Sequence, residues 1–344
     1  MNETWEKITD PKHTFIIAEA GVNHNGRLDY AMDLIDIAVT AKADAVKFQT
    51  FKASKLVTPY APKAAYQLNF TPRYESQFDM LRKLELSEKD YKNLFNYCKR
   101  KKITFMSTPF DEESAYFLHS LGMEIFKIPS GEITNFPFIK YITTLHKPLI
   151  ISTGMSHMQE VKAVVKLLKN DTYYALLHCV SNYPADAKDV NLRAMASLAK
   201  VFTVPVGFSD HTLGIEISLA AVAMGAKIIE KHFTLDLNLK GPDHQASLKP
   251  NELQSLIKGI RNIERALGDG KKVGSLSEQK MISIARKSLV AACDIPIGIK
   301  LSEKLIACKR PGTGLSPTII QKVLGKKTKQ PIKKDKQIQW GMLE

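Results

Sequence analysis

The sequence is poor in cysteine and lacks any long apolar run. Its four cysteines, Cys98, Cys179, Cys293 and Cys308, show no CxxC spacing, which argues against a cysteine metal knuckle and a disulfide framework. We therefore expect reduced thiols, as in a cytoplasmic protein. No apolar stretch approaches the roughly 20 residues of a membrane-spanning helix, and the polar start, MNETWEKITDPKH, does not resemble a signal peptide. The sequence thus predicts a soluble, cytoplasmic protein without a membrane partner.

Acidic residues are scarce towards the C-terminal end. Of the formal net charge of +14, residues 269–344 contribute +10, from 16 Lys and Arg against 6 Asp and Glu. A basic tail can bind nucleic acid, but this one has few aromatic residues and no helix-turn-helix, RNA-recognition or zinc-finger pattern. We interpret the charge as a source of solubility and of attraction for small anions, and we expect no nucleic-acid partner.

What the sequence does contain is a series of eight short apolar runs, each ending in small, polar or charged residues. The runs are IIAEAG (16–21), AVKFQT (45–50), FMSTPF (105–110), FKIPSG (126–131), LIISTG (149–154), ALLHCVS (175–181), PVGFSDH (205–211) and IIEKHFT (228–234). Amphipathic segments of helical spacing lie between them. This alternation predicts an α/β fold, a (β/α)₈ TIM barrel, in which chemistry is concentrated at one end of the strands. No GxGxxG follows the first run, so no dinucleotide site is indicated.

The pattern changes after Gly268, which sets the predicted domain limits. The length of 344 residues suits a barrel of about 250 residues with an appendage. We predict a barrel over 1–268, a linker over 269–282 and a small β-rich domain over 283–344. Within the barrel, the stretch 51–76 is too long for an ordinary βα loop, and we expect either a lid over the substrate or a plain surface excursion.

Side chains two residues apart on a strand share a face, which groups the polar ends of the runs. The pairs that share a face are Lys47 with Gln49, Ser209 with His211, and Glu230 with His232. His211 and His232 end neighbouring strands, about 4.8 Å apart, so their imidazoles can converge on one divalent metal and leave positions open for substrate and water. The ligand types do not distinguish Mn²⁺, Mg²⁺, Co²⁺ and Zn²⁺, and a histidine can also be purely structural.

Two lysines, Lys47 and Lys127, end the second and fourth runs. A buried lysine needs an anion or a chemical role. These two could form a Schiff base, as in a class I aldolase, or could hold a phosphate or carboxylate. We favour anion binding, because several hydroxyl groups surround the same end of the barrel. These hydroxyl groups belong to Thr108, Ser130, Ser152 and Ser209.

Three carboxylates complete the predicted site. Glu19 and Glu132 lie at or after strand ends, and Asp243 lies in the loop after the eighth run. Each of them could form an ion pair with a lysine, bind sugar hydroxyls or move protons.

Nine motifs taken together carry a family resemblance. In order they are AEAGVNHNG, VKFQTF, STPFDEES, KIPSGEI, ISTGM, HCVSNYPA, GFSDHT, EKHFTLD and GPDHQASL. With them the chain resembles the sialic acid synthase family over nearly its whole length, and KRPGTGLSP (309–317) resembles part of that family's C-terminal antifreeze-like (SAF) domain. The resemblance implies condensation of phosphoenolpyruvate with an N-acylated mannosamine-type aldose, giving a nine-carbon ulosonic acid and phosphate.

The resemblance also implies roles for individual residues. His211 and His232 would hold a divalent metal, Mn²⁺ in the first place and Mg²⁺ or Co²⁺ as alternatives, which polarises the sugar aldehyde. The positions near the phosphoenolpyruvate anion are Lys47, Thr108, Ser152 and Ser209, with Lys127 and Ser130 near its carboxylate. The positions near the sugar or the reacting centre are Glu19, Gln49, Glu132, Tyr183 and Asp243.

Two further positions bear on the acceptor sugar. By resemblance, Arg310 reaches the sugar's N-acyl group from the C-terminal domain of the other subunit, in a domain-swapped homodimer. Ser181 stands where some members that use N-acetylmannosamine have Asn. The acceptor is therefore either N-acetylmannosamine, giving N-acetylneuraminate, or 2,4-diacetamido-2,4,6-trideoxymannose, giving legionaminate. A pseudaminate synthase, a Schiff-base aldolase and a non-catalytic sugar- or nucleic-acid-binding protein are the alternatives.

Overall fold

The chain divides into two compact units, Met1–Gly268 and Asp269–Glu344, in a computed structural model. The structure describes residues 2–64, 67–68, 71–72, 74–168 and 171–344. No helix in these ranges is both long and apolar enough to cross a membrane.

The first unit contains eight strands that form one parallel sheet. They are β1 (Phe15–Gly21), β2 (Ala45–Thr50), β3 (Thr104–Pro109), β4 (Phe126–Ile128), β5 (Leu149–Ser152), β6 (Tyr174–Cys179), β7 (Val206–Asp210) and β8 (Ile228–His232). The hydrogen-bonded order is β3-β2-β1-β8-β7-β6-β5-β4, and β3 and β4 at its two ends lie next to each other. The predicted (β/α)₈ barrel is confirmed, as a nearly closed barrel.

Several strands end earlier than the apolar runs suggest. β4 ends at Ile128, because Pro129 has no N–H to extend the ladder and a 3₁₀ turn, Ser130–Glu132, follows it. β7 ends at Asp210 and β8 at His232. Some of the polar side chains therefore sit just beyond the strands, in the loops that surround the carboxyl end of the barrel.

Helices cover the outside of the barrel. In chain order they are α1 (Glu3–Thr9), α2 (Leu28–Ala41), α3 (Ala53–Leu56), α4 (Gln77–Leu84), α5 (Glu88–Lys101), α6 (Glu112–Leu121), α7 (Phe136–Thr143), α8 (Met158–Leu167), α9 (Ala187–Val190), α10 (Arg193–Phe202), α11 (Glu216–Ala223) and α12 (Pro250–Leu267). Their ends follow local chemistry. Ser87 and Asp90 form a reciprocal capping box at the start of α5, and α6 ends at Gly122 with φ 93°, a conformation that favours glycine.

The barrel has two apolar layers, separated by the alternation of side chains along each strand. Outward-facing side chains such as Ile16 and Val46 pack against the helices. Inward-facing side chains such as Phe15 and Ile17 pack with Trp5 of α1, at the amino end of the strands. Because apolar residues fill that end, the polar inward positions are confined to the carboxyl end.

The second unit has a small apolar core of its own. Its antiparallel strands are β9 (Ser288–Ala291) and β10 (Ile306–Lys309), and its helices are α13 (Leu276–Ala285) and α14 (Ile320–Val323). Leu289, Ile295 and Ile338 are among the side chains of the core. The helix α13 overlaps the predicted linker, 269–282. Ser275 caps this helix by accepting from the Glu278 N–H, and none of its ten residues is buried. The predicted domain limits otherwise stay a prediction.

The structure describes only part of the stretch 51–76. It contains α3 and Gln67, a buried residue, whereas residues 65, 66, 69, 70 and 73 lie outside the described ranges. The expectation of a lid therefore stays a prediction.

Candidate active site

A cavity of about 430 Å³ lies at the carboxyl ends of the strands. Most of the predicted site residues line it. They are Glu19, Lys47, Gln49, Thr108, Lys127, Ser130, Ser152, Ser181, Tyr183, Ser209, His211, His232 and Asp243. The alternation of side chains and the neighbouring ends of parallel strands bring these residues together from positions more than 200 apart in the sequence.

A larger groove, of about 690 Å³, lies on the outside of the barrel between α5 and α6. Tyr91, Glu113 and Tyr116 are among its lining residues, and it contains none of the predicted site residues. The convergent charges and imidazoles are all in the smaller cavity, so we place the chemistry there.

Two lysines and two glutamates form the centre of the cavity floor. Lys47 Nζ lies 2.8 Å from Glu19 Oε2 and 3.5 Å from Glu230 Oε2. Lys127 Nζ lies 3.4 Å from Glu230 Oε1. All four side chains are almost completely buried, so each charge depends on the others rather than on water for its stabilisation.

Burial and these neighbours shift the four pKa values in different directions. Burial raises the pKa of Glu19 above its ordinary value, although Lys47 opposes the shift. Burial acts to raise the pKa of Glu230 too, but Lys127 and Lys47 outweigh it, and the pKa is lowered. Burial lowers the pKa of Lys127, whereas for Lys47 the two glutamates overcome burial and raise the pKa. Two lysines thus face two glutamates in a buried floor, and an entering anion can replace a carboxylate as the partner of a lysine.

Hydroxyl groups orient the lysines. Lys47 Nζ donates to Thr108 Oγ1 at 3.0 Å, and Lys127 Nζ donates to Ser152 Oγ at 2.7 Å. Ser209 Oγ donates to Glu230 Oε1 at 2.9 Å. Each cation is thus fixed next to a hydroxyl that can itself bind an oxyanion.

The two predicted metal-ligand histidines face each other. Their ring centroids are 5.7 Å apart, and the Tyr183 ring lies 4.1 Å from that of His211. His211 Nδ1 bonds to the Val180 carbonyl at 2.7 Å, so Nδ1 carries the proton and Nε2 keeps its lone pair. His232 Nδ1 is buried without a hydrogen-bond partner among the described residues.

Burial lowers the pKa of His211 to about 4, and it lowers that of His232 well below its ordinary value. Both rings are therefore neutral at neutral pH, as metal ligands must be. In the part of the chain that the structure describes, no group of three or more His, Cys, Asp and Glu side chains has the arrangement of a metal site. Two neutral imidazoles that line a cavity nevertheless fit an ion whose remaining ligands are substrate and water.

The other predicted carboxylates and Arg310 occupy different environments. Asp243 lines the cavity, and burial raises its pKa to about 6. Glu132 lies in the 3₁₀ turn after β4, where it accepts a hydrogen bond from Asn135 Nδ2 at 2.6 Å and does not line the cavity. Arg310 belongs to the second unit and is exposed directly after β10.

A tightly packed corner of the cavity surrounds Gly154. Its N–H donates to Ser130 Oγ at 3.0 Å, and Ser130 Oγ lies 3.1 Å from Cys179 Sγ. A β-carbon on Gly154 would overlap Ser181 Oγ and would lie 2.8 Å from both Cys179 Sγ and Ser130 Oγ. Glycine is thus needed here because three side chains approach its backbone.

Sequence reasoning missed two features of the site. Glu230 was grouped with His232 by alternation but received no role, although it contacts both lysines. The motif AEAGVNHNG was used only for Glu19 in β1, yet Asn23 in the turn after β1 also contributes. Its Nδ2 donates to Ser247 Oγ at 2.9 Å, and that hydroxyl donates to the Asp243 carbonyl at 2.7 Å. Asn23, in the motif AEAGVNHNG, was the available signal. It lies beyond β1, and its side chain holds the loop after β8.

Comparison with known protein families divides the chain into the same two parts as the compact units of the structure. A family model described as the NeuB family matches residues 34–272, and a model of the SAF domain matches residues 286–344.

Individual relatives match over almost the whole length. An N,N'-diacetyllegionaminic acid synthase of Campylobacter jejuni is 52% identical over 331 residues, 95% of this chain and 99% of that protein. A protein of the same name from Legionella pneumophila is 46% identical over 336 residues, 96% of this chain and 94% of that one. Among solved structures, the N-acetylneuraminic acid (sialic acid) synthetase of Leptospira borgpetersenii, 37% identical, has a TM-score of 0.69 and covers 78% of this chain and 90% of that chain.

Proposed function

The chain belongs to the NeuB family and carries a SAF domain, and we propose that it makes N,N'-diacetyllegionaminate. It is a nonulosonate synthase, an enzyme that joins phosphoenolpyruvate to an N-acylated amino sugar and releases phosphate. The observation that carries the choice of sugar is the identity of 52% and 46%, over nearly the full chain, with two relatives named as N,N'-diacetyllegionaminic acid synthases. The acceptor would be 2,4-diacetamido-2,4,6-trideoxymannose.

The cavity floor suits phosphoenolpyruvate because it offers two cations about which hydroxyl groups are arranged. Lys47 with Thr108 would bind the phosphate, and Lys127 with Ser130 would bind the carboxylate. Ser152 Oγ accepts a hydrogen bond from Lys127 and would fix that lysine, while its O–H stays available to an oxyanion. Without substrate, Glu19 and Glu230 neutralise the two lysines. A bound anion would replace these carboxylates as the partner of the lysines.

His211 and His232 would hold the divalent metal, with Mn²⁺ as the first choice. When bound, such an ion acts as a Lewis acid on the aldehyde oxygen of the sugar. Burial keeps both imidazoles neutral. The Val180 carbonyl fixes the tautomer of His211, so that the lone pair of Nε2 is available to a metal.

The reaction needs a carbon–carbon bond, a water molecule and proton transfers. C3 of phosphoenolpyruvate forms a bond to the aldehyde carbon, whose oxygen takes up a proton. Water adds at C2 and loses a proton. The C–O bond to phosphate then breaks, and the C2 hydroxyl gives up its proton to become the keto group. Asp243 is a group able to hold a proton near neutral pH, because burial raises its pKa to about 6. Gln49, whose Nε2 lies 3.3 Å from Glu19 Oε1, and Tyr183 beside His211 would orient the sugar.

We also propose that two subunits form the complete site in a domain-swapped dimer, with the partner subunit's Arg310 at the N-acyl group of the sugar. This residue is exposed in its own unit, and an exposed guanidinium suits hydrogen bonding to an amide carbonyl. A cytoplasmic location is proposed as well, because all four cysteines are free thiols. Glu132, outside the cavity lining, would act through Asn135, which donates a hydrogen bond to it.

The test is a panel of acceptor sugars offered with phosphoenolpyruvate and Mn²⁺, with phosphate release and product mass as readouts. We expect the 2,4-diacetamido sugar to give at least about ten times the kcat/KM of N-acetylmannosamine, as one acetamido contact allows. Equal or greater activity with N-acetylmannosamine would contradict the choice of sugar but not the family. A borohydride-trapped adduct with pyruvate would instead favour the Schiff-base aldolase.

A further inference from the structure

A pair of opposite charges lies behind the two imidazoles, on the outer face of the barrel. The side chains of β7 and β8 alternate, so Asp210 and Lys231 point away from the cavity, towards the helices. They are direct partners in the parallel register of the two strands. Neighbouring outward residues, Phe208 and Ile229, belong to the apolar layer under the helices. Charges at this depth need a physical reason.

The Asp210 carboxylate is fully engaged. Lys231 Nζ lies 2.8 Å from Oδ2, to which the Ser218 hydroxyl of α11 donates at 2.5 Å. The N–H and hydroxyl of Thr212 both donate to Oδ1, at 2.9 and 2.7 Å. Lys231 also donates to the Thr212 carbonyl at 2.6 Å. The side chains of the pair are 0% and 2% exposed.

This network includes the residues on either side of His211 in the chain. The residue before it, Asp210, and the residue after it, Thr212, are both tied to one ammonium group. That ammonium belongs to Lys231, the residue before His232. The network therefore links the backbone at both imidazoles, from the side opposite the cavity. A buried ion pair adds little stability compared with apolar residues of similar size, and its best-supported use is to specify one arrangement.

We propose that Asp210 and Lys231 are positioning residues that hold the ends of β7 and β8 in register, so that the His211 and His232 rings face one ion. The proposal rests on the proposed function for the metal. Its geometric part, the fixed orientation of the His211 ring, is independent of any ion. Ser218, which donates to Asp210 from α11, connects the pair to the helical layer.

The main variant is Asp210→Asn combined with Lys231→Met, which removes both charges and leaves an oxygen for the Thr212 donors. Ser218→Ala is a milder variant that keeps the ion pair and decides the question should the double variant fail to fold. The control is Asp44→Asn combined with Arg261→Met. That pair, 2.8 Å apart, lies at the amino end of β2, at the opposite end of the barrel.

The first readout needs no metal. In protein labelled with ¹⁵N-histidine and treated with EDTA, the Nδ1–H of His211 bonds to Val180 and should exchange slowly with water. The signal is assigned by its loss in His211→Ala. We expect exchange about tenfold faster in the double variant and a smaller increase in Ser218→Ala, because local opening of the strand ends becomes easier. The control pair should leave the rate unchanged.

The second readout is the dissociation constant for Mn²⁺, measured by electron paramagnetic resonance. We expect it to rise about 10- to 100-fold in the double variant, the usual effect of losing support behind a metal ligand, and to stay unchanged in the control. Proton exchange and Mn²⁺ affinity both within twofold of the wild type would overturn the proposal. Faster exchange with unchanged affinity would overturn it too. A wild-type protein that binds no Mn²⁺ would refute the proposed metal, while proton exchange would still decide the positioning role.

Discussion

Lys47 and Glu19 form an ion pair in the barrel interior, with Nζ 2.8 Å from Oε2 and side chains 4% and 2% exposed. Water cannot solvate either charge, so each one is stable only beside the other or beside a third group. Glu230 is that third group, at 3.5 Å from the same ammonium. The site therefore holds its cations ready for an anion and neutralises them until the anion binds.

Replacing Lys47 with Gln should separate binding from stability. We expect kcat/KM for phosphoenolpyruvate to fall about 10- to 100-fold, the value of a lost hydrogen bond to a charged group. The free energy of unfolding should fall by about 3 kcal/mol, because two buried carboxylates lose their partner. Phosphate release and denaturant unfolding measure the two effects. Adding Glu19→Gln should recover much of the stability and none of the activity. Recovery of activity would mean that Lys47 only neutralises Glu19.

Removing either imidazole should remove the metal. His211→Ala and His232→Ala should each weaken Mn²⁺ binding by at least about 100-fold and abolish most turnover, since the chain supplies only these two proposed ligands. Isothermal titration with Mn²⁺ and phosphate release measure this. His178→Ala is the matched control, because this histidine on β6 bonds to the Val190 carbonyl at 2.6 Å and does not line the cavity. Near-wild-type turnover in either first variant would refute the assignment.

Much of this site could be predicted from alternation along the strands. Lys47 and His232 lie within regular strands, where a spacing of two residues fixes the face, and both line the cavity. The rule holds only as far as the strand continues. β4 ends at Ile128, and the 3₁₀ turn that follows rotates Glu132 away from the cavity lining.

Other features depend on neighbours that are distant in sequence. The pKa of Glu19 is raised by burial while that of Glu230 is lowered by two lysines from other strands, and no local pattern carries that information. The helix α13 escaped notice because its residues are exposed and lack a clear apolar face, so the composition of 269–282 suggested a linker. A helix that buries one face shows apolar residues at helical spacing. An exposed helix such as α13 has no such pattern in its sequence.

Asp243 should make stability depend on pH. Its pKa is raised from 3.8 to about 6 by burial, so the folded state favours the protonated form. The stabilisation is complete below about pH 4 and is lost as pH rises through 6, by up to about 3 kcal/mol. Asp243→Asn cannot lose a proton, so relative to the wild type it should gain stability between pH 4 and pH 8. Urea unfolding in EDTA across that range measures the difference. Asp33→Asn, which replaces an exposed carboxylate of α2, is the matched control. A pH-independent difference for Asp243→Asn would contradict the raised pKa.

Subunits with complementary defects should test the proposed dimer. Arg310→Ala subunits lack the arginine, and His211→Ala subunits lack a metal ligand. Refolding an equal mixture makes about half of the dimers mixed, and each mixed dimer would have one complete site of two if the partner subunit's Arg310 serves it. The mixture should then regain about a quarter of wild-type activity and the purified mixed dimer about half. Phosphate release from the purified mixed dimer is the measurement. An inactive mixed dimer would show that each site uses the arginine of its own chain, and activity of the Arg310→Ala protein alone would show that the site needs no Arg310.

Gly154 offers the sharpest test of the proposed carboxylate pocket. In Gly154→Ala the new β-carbon would overlap Ser181 Oγ and press on Ser130 Oγ and Cys179 Sγ, each 2.8 Å away. Ser130 must then move, so we expect KM for phosphoenolpyruvate to rise about tenfold or more, because a misplaced donor leaves a buried anion poorly bound. Gly131→Ala is the matched control, since a β-carbon there meets nothing within 4 Å. Steady-state kinetics with phosphoenolpyruvate varied distinguish the two variants. An unchanged KM in Gly154→Ala, with the acceptor constant altered instead, would move this corner of the cavity from the carboxylate to the sugar, with Ser181 as the contact.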